Sequence, residues 1–290
     1  MSQYAESAPS TQALTSAKGA LTTEVLPDVC LYIPVRNGAN YIRDCIQSIV
    51  NQTYTHWTLM VSDNHSQDET ADIVASFNDP RISLHRHASD VGMNGNFNSC
   101  IDKCKSTYYA ILSHDDKYYS DTALEQALSV LNANSDVAVV YSNIVWIDGL
   151  GNKIFDFKLP IQGLVFSDIV ARQSILSCRN FFGVPILLRR QAVGQHRYDA
   201  RFQYTGDVDF SVSIGMQKLV YFIDKALVAI RFHKTNNTLR DFSGVRDEML
   251  LIAHKHGVDL SPVQRVIMLI NDRLTRIKKA IFFMYIDRST

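Results

Sequence analysis

The chain has 290 residues, 46% of them hydrophobic and 20% charged, the proportions of a soluble globular protein with room for one large α/β domain and an appendage. Lysine plus arginine and aspartate plus glutamate balance at 29 each, so no global field gathers nucleic acid, and nucleic acid is not an expected partner. The five cysteines (Cys30, Cys45, Cys100, Cys104 and Cys178) are odd in number and lack a disulfide-type rhythm. Cys100 and Cys104 have helical spacing, but no second pair completes a zinc site, so buried reduced thiols in a reducing cytoplasm are expected.

Residues 1–26 are rich in Ser, Thr and Ala without a sustained period and read as a tail. They lack the charged and then apolar pattern of a signal peptide, and no apolar run is long enough to span a bilayer. The first strand is expected at 29–35, stopped by Pro34 and then Asn37-Gly38. Ile42, Ile46, Ile49 and Val50 follow on one helical face. Strands at 57–61, 81–84, 108–112 and 137–141 then alternate with helices at 68–77, 97–104 and 122–131. That alternation predicts a mostly parallel sheet covered on both faces. Ligands bind such sheets at the carboxyl edge, where Asn37, Asp63, Asp115 and Asp116 all fall.

The pattern changes after residue 142. A hairpin is expected from 144–147 and 153–157, helices at 167–177 and 208–216, and strands at 184–188, 220–223 and 227–232, all built onto the same sheet. The expected divisions are a tail at 1–26, a first half at 27–141, a second half at 142–238 and a helical extension at 239–290. The last helix, 262–286, carries Val266, Ile270, Leu274, Ile277 and Ile281 on one stripe, with Arg273, Arg276, Lys278 and Lys279 interleaved. Such a helix suits peripheral contact with anionic lipid, packing on its own domain, or a homo-oligomer, and its sequence leaves these open.

Ser113-His114-Asp115-Asp116 ends an apolar strand. Adjacent carboxylates repel each other unless something positive lies beside them, and Mg²⁺ or Mn²⁺ bridging to phosphate oxygens fits; acids opening the helix that follows fit equally. Asp116 is expected on a solvated edge. Asp68 with Asn64 and Ser66 suits a helix cap, whereas Asp63 lies too early for one and can accept hydrogen bonds from a nucleobase or ribose. Gly206-Asp207-Val208-Asp209 opens a helix, as N-terminal acids or as the place of a general base. Two residues apart, the two carboxylates diverge by about 200°, so only one can face a cleft. Arg231 and His233 close a strand on one face, where a cation and an imidazole suit a diphosphate or a metal.

Together these segments resemble the bacterial-type family 2 glycosyltransferases, inverting enzymes of the GT-A fold. The resemblance rests on Ile33-Pro34-Val35-Arg36-Asn37-Gly38, on Ser48-Ile49-Val50-Asn51-Gln52-Thr53-Tyr54, on Val61-Ser62-Asp63-Asn64 through Asp68-Glu69-Thr70, on Gly95-Asn96-Phe97-Asn98 and on Leu112 to Asp116, in that order, with Gly206 to Asp209 and Arg231-Phe232-His233 beyond. It implies a Rossmann-like central sheet and transfer of a sugar from a nucleoside-diphosphate donor, with a divalent cation, to a glycan or lipid-linked acceptor. Pro34, Val35, Arg36, Asn37, Asp63, Asn98 and Asp115 would hold the nucleotide. Asp116 and His233 would hold the metal, Arg231 the diphosphate, and Asp207 would be the base. A carboxylate at Asp63 suits the N3–H of uracil or thymine, so a UDP or dTDP sugar is expected. Cell-surface polysaccharide synthesis at the inner face of the membrane would follow. Ser113 and His114 depart from the acids often found in the metal motif, Gly206 from an acid before Asp207, and Asp90 from a usual Asn. A nucleotidyltransferase is the rival enzyme, although the loop Arg36-Asn37-Gly38-Ala39-Asn40 lacks its Gly-rich pattern. A non-catalytic nucleotide-sugar-binding module is the other alternative.

Overall fold

The computed structural model describes residues 29–233 and 244–286, with side chains as far as 278 in the last helix. The expected tail at 1–26 lies outside the described residues. Strand β1 (Val29–Val35) pairs in parallel with β2 (Trp57–Asp63) on one side and β4 (Tyr108–Ile111) on the other, and β3 (Ile82–Arg86) extends β2. Strand β6 (Val137–Ile147) pairs in parallel with β10 (Leu219–Arg231). The short antiparallel β9 (Leu187–Arg189) joins β4 to β6. With β5 (Lys117–Tyr118) outside β10, the order is β3-β2-β1-β4-β9-β6-β10-β5, and β7 (Lys153–Phe157) and β8 (Gly163–Phe166) pair with β6 and β10. Both halves of the chain therefore build one mixed sheet.

The pleat sorts β1 side chains to opposite faces. Val29, Leu31, Ile33 and Val35 pack with Trp57, Leu59 and Leu187 against α1 (Ile42–Val50), α2 (Thr70–Ala75) and α4 (Ala123–Ala133). Tyr32 instead joins Tyr109, Tyr141 and Phe222 beneath α3 (Gly92–Lys103), α5 (Ser167–Ser177), α7 (Gly206–Gly215) and α8 (Val245–Lys255). A four-residue turn, α6 (Arg190–Val193), follows β9, and the long α9 (Pro262–Ile286) packs on α5. The five cysteines are free; Cys30 is half-buried and the other four are buried.

The strand expected at 184–188 is β9, at Leu187–Arg189, and the helix expected at 68–77 is the shorter α2; three further elements differ from their sequence patterns for physical reasons. Helix α3 begins at Gly92, five residues before the apolar period starts at Phe97, because Asp90 Oδ1 accepts the Gly92 N–H and opens the turn. The strands expected at 220–223 and 227–232 are one strand, β10, whose polar Asp224-Lys225 is a bulge with register shifts on either side of Ala226. Strand β6 is eleven residues long because it continues into the hairpin with β7. Helices α5 and α9 have the expected bounds.

Candidate active site

The ends of β1, β2 and β4 bring Asn37, Asp63, Asp115 and Asp116 to the carboxyl edge of the sheet, whereas Ser48–Tyr54 ends α1 and leads into the start of β2 at the opposite edge. After β1 the chain turns at Asn37, whose φ of 52° lies in the left-handed region that Asn tolerates. The turn is knitted to the loop after β2. The Asn37 N–H donates to Ser66 Oγ (2.9 Å), the Gly38 N–H to Thr70 Oγ1 (2.9 Å) and the Ala39 N–H to Asp68 Oδ2 (3.0 Å). The Gln67 N–H donates back to Asn37 Oδ1 (2.8 Å). The Pro34 and Val35 side chains are buried, so only their backbone lies within reach of a ligand, and the Val35 carbonyl already accepts the Asn64 N–H. Arg36 is exposed and ion-pairs with Asp90.

At Gly38 a Cβ would lie 2.4 Å from Val35 Cγ2 and 2.6 Å from His114 Cδ2. Only glycine lets the first loop approach the strand end that carries Asp115. Gly38→Ala is expected to lower stability by about 1–3 kcal/mol through overpacking, read as a shift in the urea midpoint. An unchanged midpoint would show that His114 yields without cost.

Asp63 is fully buried at the end of β2. Its Oδ1 accepts the Ser66 N–H (2.9 Å). Its Oδ2 has no hydrogen bond and lies 3.4 Å from Nε of the half-exposed Arg86. Asn64 does not cap α2; its side chain bridges Asp90 Oδ1 (2.7 Å) and the Val91 N–H (2.8 Å). Asp68 takes the Thr70 N–H (3.1 Å). Asn98, expected at the nucleotide, donates to the Tyr198 carbonyl (2.9 Å) and accepts the Tyr198 N–H (2.8 Å), clasping α3 to a segment one hundred residues later.

The acidic loop after β4 meets the end of β10. His233 Nε2 lies 3.1 Å from Asp115 Oδ2, and the His233 ring packs on Tyr41 at 4.5 Å between centroids. Asp116 is not on a solvated edge. It is 8% exposed, and its Oδ1 accepts the Arg231 N–H (3.0 Å). Burial, joined by the charge of Asp115, pushes the Asp116 carboxyl well above the usual carboxylate range. Burial acts on Asp115 too, but the hydrogen bond to His233 and the nearby His114 outweigh it and hold that carboxyl low. The two acids thus carry opposed shifts, the mark of like charges crowded together.

Arg231 itself is 2% exposed. Its guanidinium donates to the carbonyls of Asp115 (2.9 Å), Asp148 (3.3 Å) and Gly149 (3.3 Å) and ion-pairs with Asp44, so it ties loops together where a diphosphate contact was expected. Lys117 Nζ reaches the same Asp44 at 3.0 Å. Asp44 was invisible as a site residue because, in sequence, it is one polar position on an amphipathic helix. Among the described residues there is no group of three or more His, Cys, Asp or Glu side chains placed to hold a metal.

The two acids of α7 separate as their spacing requires. Asp207 is exposed, and its Oδ2 accepts the Asn180 side-chain N–H at 2.7 Å. Desolvation by the surrounding protein nevertheless raises its pKa. Asn180 Oδ1 in turn accepts the N–H groups of Phe182 (2.8 Å) and Gly183 (3.1 Å), so one side chain shapes the loop and orients the acid. Asp209 is fully buried between Lys255 (2.7 Å) and His256 (3.0 Å) at the end of α8. From the start of α8, the Glu248 carboxylate accepts the N–H groups of Gln203 (2.8 Å), Tyr204 (3.0 Å) and Thr205 (2.9 Å), fixing the loop that leads into α7.

An uncharacterized glycosyltransferase of Rickettsia prowazekii (strain Madrid E) is 29% identical over 218 residues, covering 73% of this chain and 66% of that protein. The chain thus spans just under two thirds of that relative's length. Among solved structures, Staphylococcus aureus TarS 1-349 in complex with UDP-GlcNAc superposes with a TM-score of 0.66 at 14% identity, covering 82% of this chain and 69% of that one. The mannosyltransferase PcManGT of Pyrobaculum calidifontis, in complex with GDP-Man and Mn²⁺, superposes with a TM-score of 0.53 at 14% identity, covering 89% of this chain and 81% of that one. The fold is that of GT-A enzymes, a Rossmann-like sheet flanked by helices with a C-terminal helical extension. The description Glycosyl transferase family 2 matches residues 30–195, more than half of the 290, and the chain belongs to that family.

Proposed function

We propose that this glycosyltransferase moves a sugar from a uridine or deoxythymidine diphosphate donor to a hydroxyl of a glycan or lipid-linked acceptor, with inversion and with a divalent cation. The observation that carries the reading is the meeting of Asp115 and His233 at 3.1 Å on the carboxyl edge of a GT-A sheet, beside a second, crowded carboxylate. One carboxylate and one imidazole form an oxygen- and nitrogen-donor pair that suits Mn²⁺ or Mg²⁺, which take few protein ligands and leave positions for phosphate oxygens. Asp115 and His233 would hold the ion, with Asp116 behind them securing the loop through the Arg231 N–H. When bound, the cation stabilises charge on the leaving diphosphate.

The chain's own residues do the rest. Asp63 Oδ2, without a hydrogen bond and covered by the half-exposed Arg86, becomes an acceptor for the N3–H of uracil or thymine once a base displaces that side chain. Asn37 and the backbone around Arg36 would border the base bound there. Asp207 takes the acceptor's proton, and Asn180 keeps its carboxylate aimed. That pairing, with the family membership, favours an enzyme over a binding module. Lipid-linked acceptors would place the work in cell-surface polysaccharide synthesis at the cytoplasmic face of a membrane.

Calorimetry with Mn²⁺ tests the donor side. UDP or dTDP is expected to bind more tightly than GDP, and Asp115→Ala to abolish the enhancement by Mn²⁺. Tighter binding of GDP would overturn the base preference, and an intact Mn²⁺ effect in Asp115→Ala would remove that residue from the cation site.

A further inference from the structure

Helix α9 presents two unlike faces. One is seated on α5: Met268 is fully buried, Asn271 donates to the Leu176 carbonyl (2.9 Å), and Arg179 donates to Thr275 Oγ1 (3.0 Å). The other turns its apolar stripe outward. Val263, Val266, Ile267, Ile270, Leu274 and Ile277 are 43–68% exposed. An apolar stripe usually marks the side a helix buries, and here the buried side is the opposite one.

The charge on the helix says what covers the stripe. At about 100° per residue, Arg273 lies roughly 80° to one side of the stripe's centre and Lys278 roughly 60° to the other. Both are exposed, as is Arg265. The only acid from 262 to 278, Asp272, is buried and paired with Arg276 at 2.9 Å. The outward face is therefore apolar at its centre, basic at its margins and without exposed acid. A second copy meeting this face across a two-fold axis would set arginine and lysine against their like. An anionic lipid surface answers both parts, taking the stripe among its acyl chains and the margins among its headgroups. No helix among the described residues is long and apolar enough to cross a membrane, so the contact is one of lying on the surface.

We propose that the outward face of α9 docks this enzyme on an anionic lipid surface. The seat of α9 lies beside the site's acceptor side. Arg179, which holds Thr275, is followed directly by Asn180, which holds Asp207. Docking would keep the base near an acceptor carried by the same surface.

Co-sedimentation of the full chain with vesicles tests this without any reading of sugar transfer. Binding is expected to phosphatidylcholine vesicles containing phosphatidylglycerol, weaker binding to phosphatidylcholine alone, and a loss as salt rises. Ile270→Asp with Ile277→Asp should release the protein, and Arg273→Gln with Lys278→Gln should weaken binding roughly tenfold or more while sparing the apolar stripe. All four positions are exposed, and an unchanged thermal melt checks that each variant is folded. A wild-type protein that stays in the supernatant with both vesicle types overturns the proposal. So does equal sedimentation of the Ile270→Asp, Ile277→Asp variant, or a dimer by light scattering that the same pair of substitutions makes monomeric.

Discussion

Asp207→Asn is expected to bind the donor with near-normal affinity and to transfer sugar about 10²–10⁴-fold more slowly, the usual contribution of a positioned general base. Asparagine preserves the size of the side chain and its hydrogen bond to Asn180, so the loss is one of basicity. An acceptor hydroxyl is too weak an acid to ionise alone near neutral pH, and the proposed base, Asp207, has an exposed carboxylate. The pH profile supplies a second readout. Because desolvation raises the Asp207 pKa above the ordinary 3.8, the base is lost to protonation as pH falls through that raised value, and the acid limb of kcat/KM should lie correspondingly high. In Asp207→Asn the limb should vanish. Asp209→Asn should behave differently: it removes the charge buried between Lys255 and His256, and it should lower stability before it touches the chemical step. Normal transfer in Asp207→Asn, with collapse only in a fully folded Asp209→Asn, would mean that the other carboxylate is the base.

The second large effect is structural. Arg231→Met is expected to cost about 3 kcal/mol and most of the activity. It leaves three backbone carbonyls without their donor in a buried place and frees the loops at Asp115 and at Asp148-Gly149 from one another. Asp44→Asn should cost less, about 1 kcal/mol or below, because Asp44 is 45% exposed and water can replace it. Urea unfolding of the two variants separates these cases. Equal and small losses would show that the guanidinium adds nothing beyond a surface pair.

The difference between Arg231 as expected and Arg231 as found shows where sequence patterns stop. Period and turn chemistry located most strands and helices, because the burial of one face leaves a regular trace: α1 has its predicted buried face and α5 its predicted bounds, whereas α9 has its predicted bounds but buries the side opposite its apolar stripe. The same patterns brought Asn37, Asp63, Asp115 and Asp116 to one edge, since parallel topology allows little else. They could not say which polar groups would be used up by other polar groups. Asn98 was spent on the Tyr198 backbone, Arg231 on three carbonyls, and Asp116 on an N–H donor. Those partners lie about a hundred residues away in the chain, and neither spacing nor composition encodes them. Asn180 and Glu248 escaped for the same reason, each being an ordinary polar residue until the chain closes around it.

The grip of Glu248 has a consequence for how such an enzyme changes. It holds the loop before α7 through three backbone N–H groups, with only the Thr205 hydroxyl added from a side chain (2.8 Å). Every residue but proline carries that N–H. Gln203 and Tyr204, both exposed beside the helix that bears Asp207, can therefore be exchanged without loosening the loop. Drift or selection can rewrite the side chains beside Asp207 while the loop keeps its course.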